Sequence, residues 1–433
     1  MADLPTRALV RGVRLAAVPA GFLGRRAAGL GRRLGGQPAE LVAAQVQART
    51  AEQLFSVLGQ LKGGAMKGGQ WLSTMQAALP PELAGPYGEA LTRLQEAAPA
   101  MSESTVHQVL VDHLGPAWRD HFLTFEDAPA AAASIGQVHR AVWRDGRQVA
   151  VKVQYPRAAQ ALAADLRQLD RIAPLLRVLV PGLDAGELFQ QLTARVLAET
   201  DYEQEAEAQT AFASAFRDDL DVTVPAVVHV AGHVLVSEWI DGRSVADLAR
   251  HGSQADRDRA GLLLSRFLLS SPPRVGRVHG DPHPGNFRLL EDGRLAVLDF
   301  GATLPAPDWS PNVQAVLRAA RDRDTAELED VARRTRLVHG EDVSGPALLE
   351  LLDPLVEPLR SERFTFGSAW MRSIATRFSD PRSPTSRVQR HLHIPIRYLL
   401  LQRVAAGTTG VLCQLNADVP LAAEARRWMP ALT

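Results

Sequence analysis

Two short motifs place oxygen-bearing side chains near one another: His279-Gly-Asp281-Pro-His283-Pro-Gly-Asn286 and, further on, Asp299-Phe300-Gly301. Phosphoryl transfer needs a carboxylate that orients or deprotonates the attacking hydroxyl, and hard oxygen donors that hold a divalent cation against the phosphates. Asp281 suits the first task. Asn286 offers an amide oxygen and Asp299 a carboxylate for the second, with Mg²⁺ as the expected ion. Asp, Asn, Gly and Pro are also ordinary loop residues, and a lone Asp-Phe-Gly carries little information. The context adds weight. Phe287–Leu290 and Leu295–Leu298 read as strands joined by Asp292-Gly293, so one hairpin end gathers Asn286 and Asp299.

A cation for the phosphates stands in Val149-Ala-Val-Lys152-Val, where a lysine interrupts an apolar strand. Such a lysine holds α- and β-phosphates and needs a carboxylate from a helix. Asp201 and Glu205, four residues apart in Glu199-Thr-Asp201-Tyr202-Glu-Gln-Glu205-Ala206, share a helix face. On composition alone Glu203 and Glu207 serve as well, and a solvated charged face would look the same. The run Ala130–Ala133 followed by Ser134-Ile135-Gly136 lies where a phosphate loop would precede the lysine strand. Alanines allow close approach but restrict φ > 0, and by itself the run reads as a helix start or a linker. Glu238 ends another strand before Ile240-Asp241-Gly242, either as a surface acid or as the lobe junction that holds an adenine edge. His391 and His393 have no third ligand nearby and are read as surface or packing residues.

The elements that must position these groups follow from periodicity and turn chemistry. Val138–Trp143 and Gln148–Gln154 flank Asp145-Gly146, a type I′ hairpin signal. Thr223–Val230 and Val234–Trp239 flank Ala231-Gly232-His233, and Arg157 to Phe216 reads as helical. After Asp308 the chain reads as helical, interrupted near Asp380–Pro384. This order describes an α+β protein with a small β-rich lobe and a larger helical one. Upstream, Pro38 to Leu79 is helical in pattern, with Leu54, Val57, Leu58 and Leu61 in register. Gly63, Gly64, Gly68 and Gly69 inside it each cost about 1 kcal/mol against alanine, which points to a bend or a close approach.

With 433 residues, 46% of them hydrophobic, the chain can bury more than one core. Zero formal net charge excludes a chain-wide nucleic-acid footprint. Cys413 is the sole cysteine, so no intrachain disulfide forms, and a reducing cytoplasmic compartment is expected. Leu15 to Gly24 is too short to span a bilayer and is broken by Pro19, and Val404 to Ala417 is also too short. A soluble protein, or one peripheral at the inner face of a membrane, is therefore expected. Residues 5–35 hold seven arginines and no acid, which fits either a basic amphipathic segment on an anionic membrane or a solvated tail.

Together these motifs resemble the UbiB/AarF family of atypical kinases. Lys67-Gly-Gly-Gln70 resembles its Lys-x-Gly-Gln motif, the alanine run its alanine-rich loop, and Glu199-x-Asp201 with Glu205 its acidic motif and helix glutamate. Aminoglycoside- and choline-type phosphotransferases share the His-Gly-Asp…Asn and Asp-Phe-Gly elements but lack the other two. The resemblance implies an atypical bilobal protein-kinase-like fold with an N-terminal helical extension. Its expected parts are a basic segment (1–36), the extension (37–100), an N-lobe with a helical insertion (101–240), a C-lobe core (241–345) and a C-terminal helical region (346–433). It also implies Lys152, Glu205 and Asp281 as catalytic residues, and ATP or ADP with Mg²⁺ on Asn286 and Asp299. Nucleotide contacts are expected from Ala131, Ala132, Ala133, Ser134, Lys152 and Glu238. Lys67 and Gln70 would lie over the site, Lys67 near Glu199 and Asp201, blocking a peptide substrate. Slow ATPase or small-molecule phosphorylation is implied, with a link to isoprenoid quinones and lipid membranes. No Ala-Pro-Glu segment follows Asp299, so substrate docking is unspecified. A nucleotide-gated lipid-binding module without turnover and a small-molecule phosphotransferase are the alternatives, and the complete set of five site residues favours an enzyme.

Overall fold

The computed structural model describes residues 101–133, 135–156, 158, 160, 200–306, 309–335, 344–379 and 396–432. The chain forms two compact units, one of residues 102–131, 137–153 and 201–433, the other of residues 1–101, 132–136 and 154–200. In the second unit, the Tyr155 amide donates to the Ile135 carbonyl (2.8 Å) and Gln154 Nε2 donates to the Thr200 carbonyl (2.9 Å). Lys67, Gln70, Ser134 and Glu199 lie outside the described residues.

In chain order come α1 (Glu103–Leu114), capped by Ser102, and then the strands β1 (Phe122–Phe125), β2 (Ala131–Ala133), β3 (Gly136–Trp143) and β4 (Gln148–Gln154). The alanine run is thus extended, neither helix start nor linker. Helix α2 (Tyr202–Ala215) follows, then β5 (Val222–Thr223), β6 (Val227–Ala231) and β7 (Val234–Glu238). The antiparallel sheet has the order β1-β3-β4-β7-β6. Val149, Val151 and Val153 are fully buried on one face of β4, and the period of two puts Lys152 on the other. The turn into β4 needs Gly146 at φ 91°, a conformation glycine adopts without strain.

The second hairpin differs from its expected bounds. Val222 and Thr223 pair in parallel with Leu295 and Ala296 of another sheet, and the hairpin strand begins only at Val227. Pro225 lies between the two segments and offers no amide to a ladder, so the chain changes sheets there.

The helical half runs β8 (Arg243–Ser244), α3 (Val245–His251), α4 (Gln254–Val275), β9 (Arg277–His279), β10 (Phe287–Leu289), β11 (Leu295–Val297) and β12 (Thr303–Pro305). It continues through α5 (Pro311–Arg321), α6 (Thr325–Arg334), α7 (Gly345–Val356), β13 (Phe364–Thr365), α8 (Ser368–Ser379), α9 (Ile396–Leu415), β14 (Asp418–Val419) and α10 (Leu421–Trp428). Strands β10 and β11 form the expected hairpin around Gly293 (φ 82°), within the order β5-β11-β10-β8. The pair β13–β14 corrects the all-helical expectation: Phe364 faces Val419, and the Phe366 amide donates to the Ala417 carbonyl (2.8 Å). A two-residue strand whose partner lies far along the chain leaves no periodic trace. The interruption expected near Asp380–Pro384 lies outside the described residues.

The core of this half gathers Phe212 and Phe216 from α2, Leu263, Leu264 and Phe267 from α4, Phe287, Leu295 and Phe300, with Val411, Leu412 and Leu415 from α9. Cys413 is half-buried against it, and burial pushes its thiol up to about 12. Among the described residues no helix is long and apolar enough to cross a membrane. Phe212 is fully buried against Phe216, Phe267 and Phe300, so Phe212→Ala is expected to cost about 3–5 kcal/mol. A lowered denaturant midpoint checks this; a loss of about 1 kcal/mol or less would mean the cluster closes over the cavity.

Candidate active site

Helix α2 sets the position of Glu205. Asp201 caps its N-terminus, accepting from the amides of Glu203 (3.0 Å) and Gln204 (3.1 Å) and from Gln204 Nε2 (2.7 Å). Burial would raise the Asp201 carboxyl, but these hydrogen bonds outweigh it and hold it below its usual value. The inward face of α2 then carries Tyr202, Glu205, Ala206, Gln209 and Phe212. Glu205 is 3% exposed, a burial that a carboxylate tolerates only when paired.

Its partner is Lys152. The ammonium lies 2.8 and 2.9 Å from the two Glu205 oxygens and 3.3 Å from Asp299 Oδ2, with the Tyr202 ring centroid 5.2 Å away. Burial alone would lower the Lys152 pKa. The Asp299 and Glu205 carboxylates more than offset it, so the pKa stays above that of a free lysine. Glu203 is exposed, and it is Glu205 that faces the lysine.

The two hairpin ends are tied together. The Leu298 amide donates to the Asn286 carbonyl (2.8 Å), and Asn286 Nδ2 donates to the Asp281 carbonyl and to Asp281 Oδ2, both at 3.1 Å. Asn286 therefore directs its N–H to Asp281, which leaves its amide oxygen as the group available to a cation. Asp299 adopts φ 57°, a left-handed conformation that asparagine and aspartate tolerate best among non-glycine residues. Its Oδ1 accepts the Gly301 amide at 3.3 Å.

His279 supports that conformation, a task the motif did not reveal. Its Nε2 donates to the Asp299 carbonyl (2.8 Å), while the buried ring packs against Phe267, Phe287 and Phe300. Phe300 in turn lies 4.9 Å from Phe212, centroid to centroid. Helix α2 thus touches the Asp-Phe-Gly segment through Phe212 and reaches Lys152 through Glu205, so one helix carries both contacts.

Glu238 lies at the end of β7. It pairs with Val149, whereas Lys152 faces Leu235, about 10 Å along the strand. Its Oε2 accepts the Ala226 amide at 3.0 Å, which ties the end of β7 to the segment before β6.

The donor set suits Mg²⁺. Among the described residues no cluster of three His, Cys, Asp or Glu stands ready for a transition metal. An amide oxygen and a carboxylate are hard donors, and Mg²⁺ takes one or two such ligands with the rest from phosphates and water.

A protein-family model described as the ABC1 atypical kinase-like domain matches residues 93–332, more than half of the chain. The chain belongs to this family. The ABC1, or UbiB/AarF, atypical kinases similar to it include the mitochondrial atypical kinase coq-8 of Caenorhabditis elegans, 30% identical over 331 residues, which is 74% of this chain and 43% of that protein. The mitochondrial atypical kinase COQ8 of Schizosaccharomyces pombe is 34% identical over 262 residues, 59% of this chain and 42% of that protein. The match thus spans less than half the length of these two curated relatives. Among solved structures, Rv3197 of Mycobacterium tuberculosis, in complex with erythromycin, is 41% identical. It has a TM-score of 0.70 and covers 91% of this chain and 99% of that one. The kinase-like α+β fold expected from the motifs is therefore the fold of this ABC1 protein.

Proposed function

We propose that this ABC1 protein is an ATP-dependent atypical kinase or ATPase that acts on isoprenoid lipid or quinone metabolism near a membrane. The observation that carries this reading is the half-buried lysine held between a helix carboxylate and the Asp-Phe-Gly carboxylate, Lys152 with Glu205 and Asp299. In this reading Lys152 binds the α- and β-phosphates and Glu205 fixes its ammonium. Asn286 and Asp299 hold Mg²⁺, which neutralises charge on the phosphates. Asp281 accepts the proton of the attacking hydroxyl or water, and its hydrogen bond from Asn286 orients the carboxylate for that task. The alanine run Ala131–Ala133, Ser134 and Glu238 contribute nucleotide contacts. Lys67, Gln70, Glu199 and Asp201 restrain transfer to a peptide, and the arginines of residues 5–35 attach the chain to anionic lipid.

The test is Mg²⁺-dependent release of phosphate from ATP by purified protein. Asp281→Asn is expected to lower turnover by about 10²-fold or more while nucleotide still raises the melting temperature. Equal turnover in parent and variant would remove Asp281 from the chemistry. Stabilisation by nucleotide with no turnover in the parent would leave a nucleotide-gated binding module.

A further inference from the structure

Helix α9 lies against the Asp281 loop, and it does so with a face that carries one cation. Gly407 sits so close that a Cβ there would stand 2.5 Å from Pro282 Cγ. Val404, 2% exposed, packs with Val278 of β9 and with Leu304 and Ala306, beneath the same loop. Arg403 precedes Val404 and is four residues from Gly407, so it shares the helix side that meets Asp281-Pro282.

Arg403 is half-buried, yet it makes no hydrogen bond and no ion pair within 4.0 Å with a described residue. Burial pushes its pKa down, and among the described residues the Asp281 carboxylate is the charge that opposes this. Other arginines of similar burial are paired: Arg266 with Asp221 and Glu424, Arg274 with Asp219, Arg360 with Asp353. A guanidinium cannot shed its proton, so its partial desolvation is a cost that, among the described residues, only the Asp281 carboxylate offsets. Its planar fork matches the oxygens of a phosphoryl group, which it can hold by two parallel hydrogen bonds.

We propose that Arg403 is a phosphoryl-binding residue of the Asp281 site, supplied from the C-terminal helical region rather than from either motif. It rests on the reading of Asp281 as the acid–base group of phosphoryl transfer. There Arg403 holds the oxygens of the group in transfer next to the carboxylate that takes the acceptor's proton, and it offsets charge that builds up on those oxygens. The phosphoryl group is either the terminal phosphate of the nucleotide or one on the acceptor side.

The test measures binding by thermal shift for the parent, Arg403→Gln and Arg403→Lys with Mg·ATP, Mg·ADP and orthophosphate. Arg403→Gln is expected to weaken ATP about 10- to 100-fold and to leave ADP within about threefold, with Arg403→Lys in between. That pattern assigns Arg403 to the nucleotide's terminal phosphate. Loss of stabilisation by orthophosphate, with both nucleotides unchanged, assigns it to the acceptor side. Unchanged binding of all three overturns the proposal. So does equal loss of ATP and ADP, which marks a structural role. If Arg403→Gln melts well below the parent without ligand, the ATP-to-ADP ratio of Arg403→Lys decides by the same criteria. A parent that binds neither nucleotide refutes the phosphoryl-transfer reading itself, a result distinct from a parent that binds both and variants that match it.

Discussion

Asp299→Asn is expected to abolish the Mg²⁺-dependent stabilisation of the protein by nucleotide. At a nucleotide concentration of 100 times Kd the parent gains about 2.7 kcal/mol, which a melting curve resolves easily. The substitution is nearly isosteric, so its oxygen can still accept the Gly301 amide that Asp299 Oδ1 accepts at 3.3 Å. It removes the negative charge that would face the cation. It also removes the 3.3 Å ion pair with Lys152, but that ammonium keeps Glu205 as a partner. Stability without ligand should therefore change little, because the Asp299 side chain is 30% exposed and the lysine stays paired. The variant should show the same small shift with and without Mg²⁺. A full Mg²⁺-dependent shift in Asp299→Asn would overturn the assignment of Asp299 as a metal ligand.

The second large effect concerns Lys152 and Glu205. Lys152→Ala takes from the Glu205 carboxylate, whose side chain is only 2% exposed, the ammonium that bonds both of its oxygens. Removing one partner of a buried pair typically costs about 3–5 kcal/mol, because the other charge remains desolvated. Glu205→Ala is expected to cost less, since Asp299 still accepts Lys152. For nucleotide affinity the two single variants should lose similar amounts and the double variant little more, the sign of residues that act as a unit. Strictly additive losses would mean that Glu205 does not position Lys152. The pH dependence follows from the direction of the lysine's shift. Its folded pKa is raised, so the stabilisation it contributes is complete below the unfolded value of about 10.4 and is lost only as pH rises through the folded value. The stability difference between parent and Lys152→Ala that comes from the lysine's own titration should therefore be flat from about pH 6 to 9. A marked loss over that range in denaturant titrations would show that the ammonium is not held as the geometry indicates.

Phe212 and His279 show how the site depends on more than its charged residues. Phe212 joins α2 to the Asp-Phe-Gly segment through Phe300, and His279 bonds the carbonyl of a residue held at positive φ. A buried aromatic at helical spacing from Glu205 gives no sign in the sequence that it meets Phe300 rather than ordinary core. The histidine was visible in its motif, but its bond to the Asp299 carbonyl requires the end of β9 to meet the segment between β11 and β12.

What the sequence by itself determined is local. Asp145-Gly146 and Asp292-Gly293 specify tight turns, alternation specifies the strands that flank them, and these two facts bring Asn286 toward Asp299 and set Lys152 in an apolar strand. Motif spacing also carried the family, because the residues that bear the resemblance are near neighbours in the chain. Tertiary structure decided what depends on distant partners. Glu205 rather than Glu203 faces Lys152 because burial of Tyr202, Ala206 and Phe212 fixes the rotation of α2. Thr223 leaves its expected hairpin, to lie with Val222 in β5, because β11 offers a parallel edge and Pro225 cannot continue the ladder. The pairing of Phe364 with Val419, and the approach of Arg403 to Asp281, join segments far apart in the chain. The second of these arises from the packing of α9 against the Asp281 loop, and no local pattern of residue types encodes where that helix will come to rest.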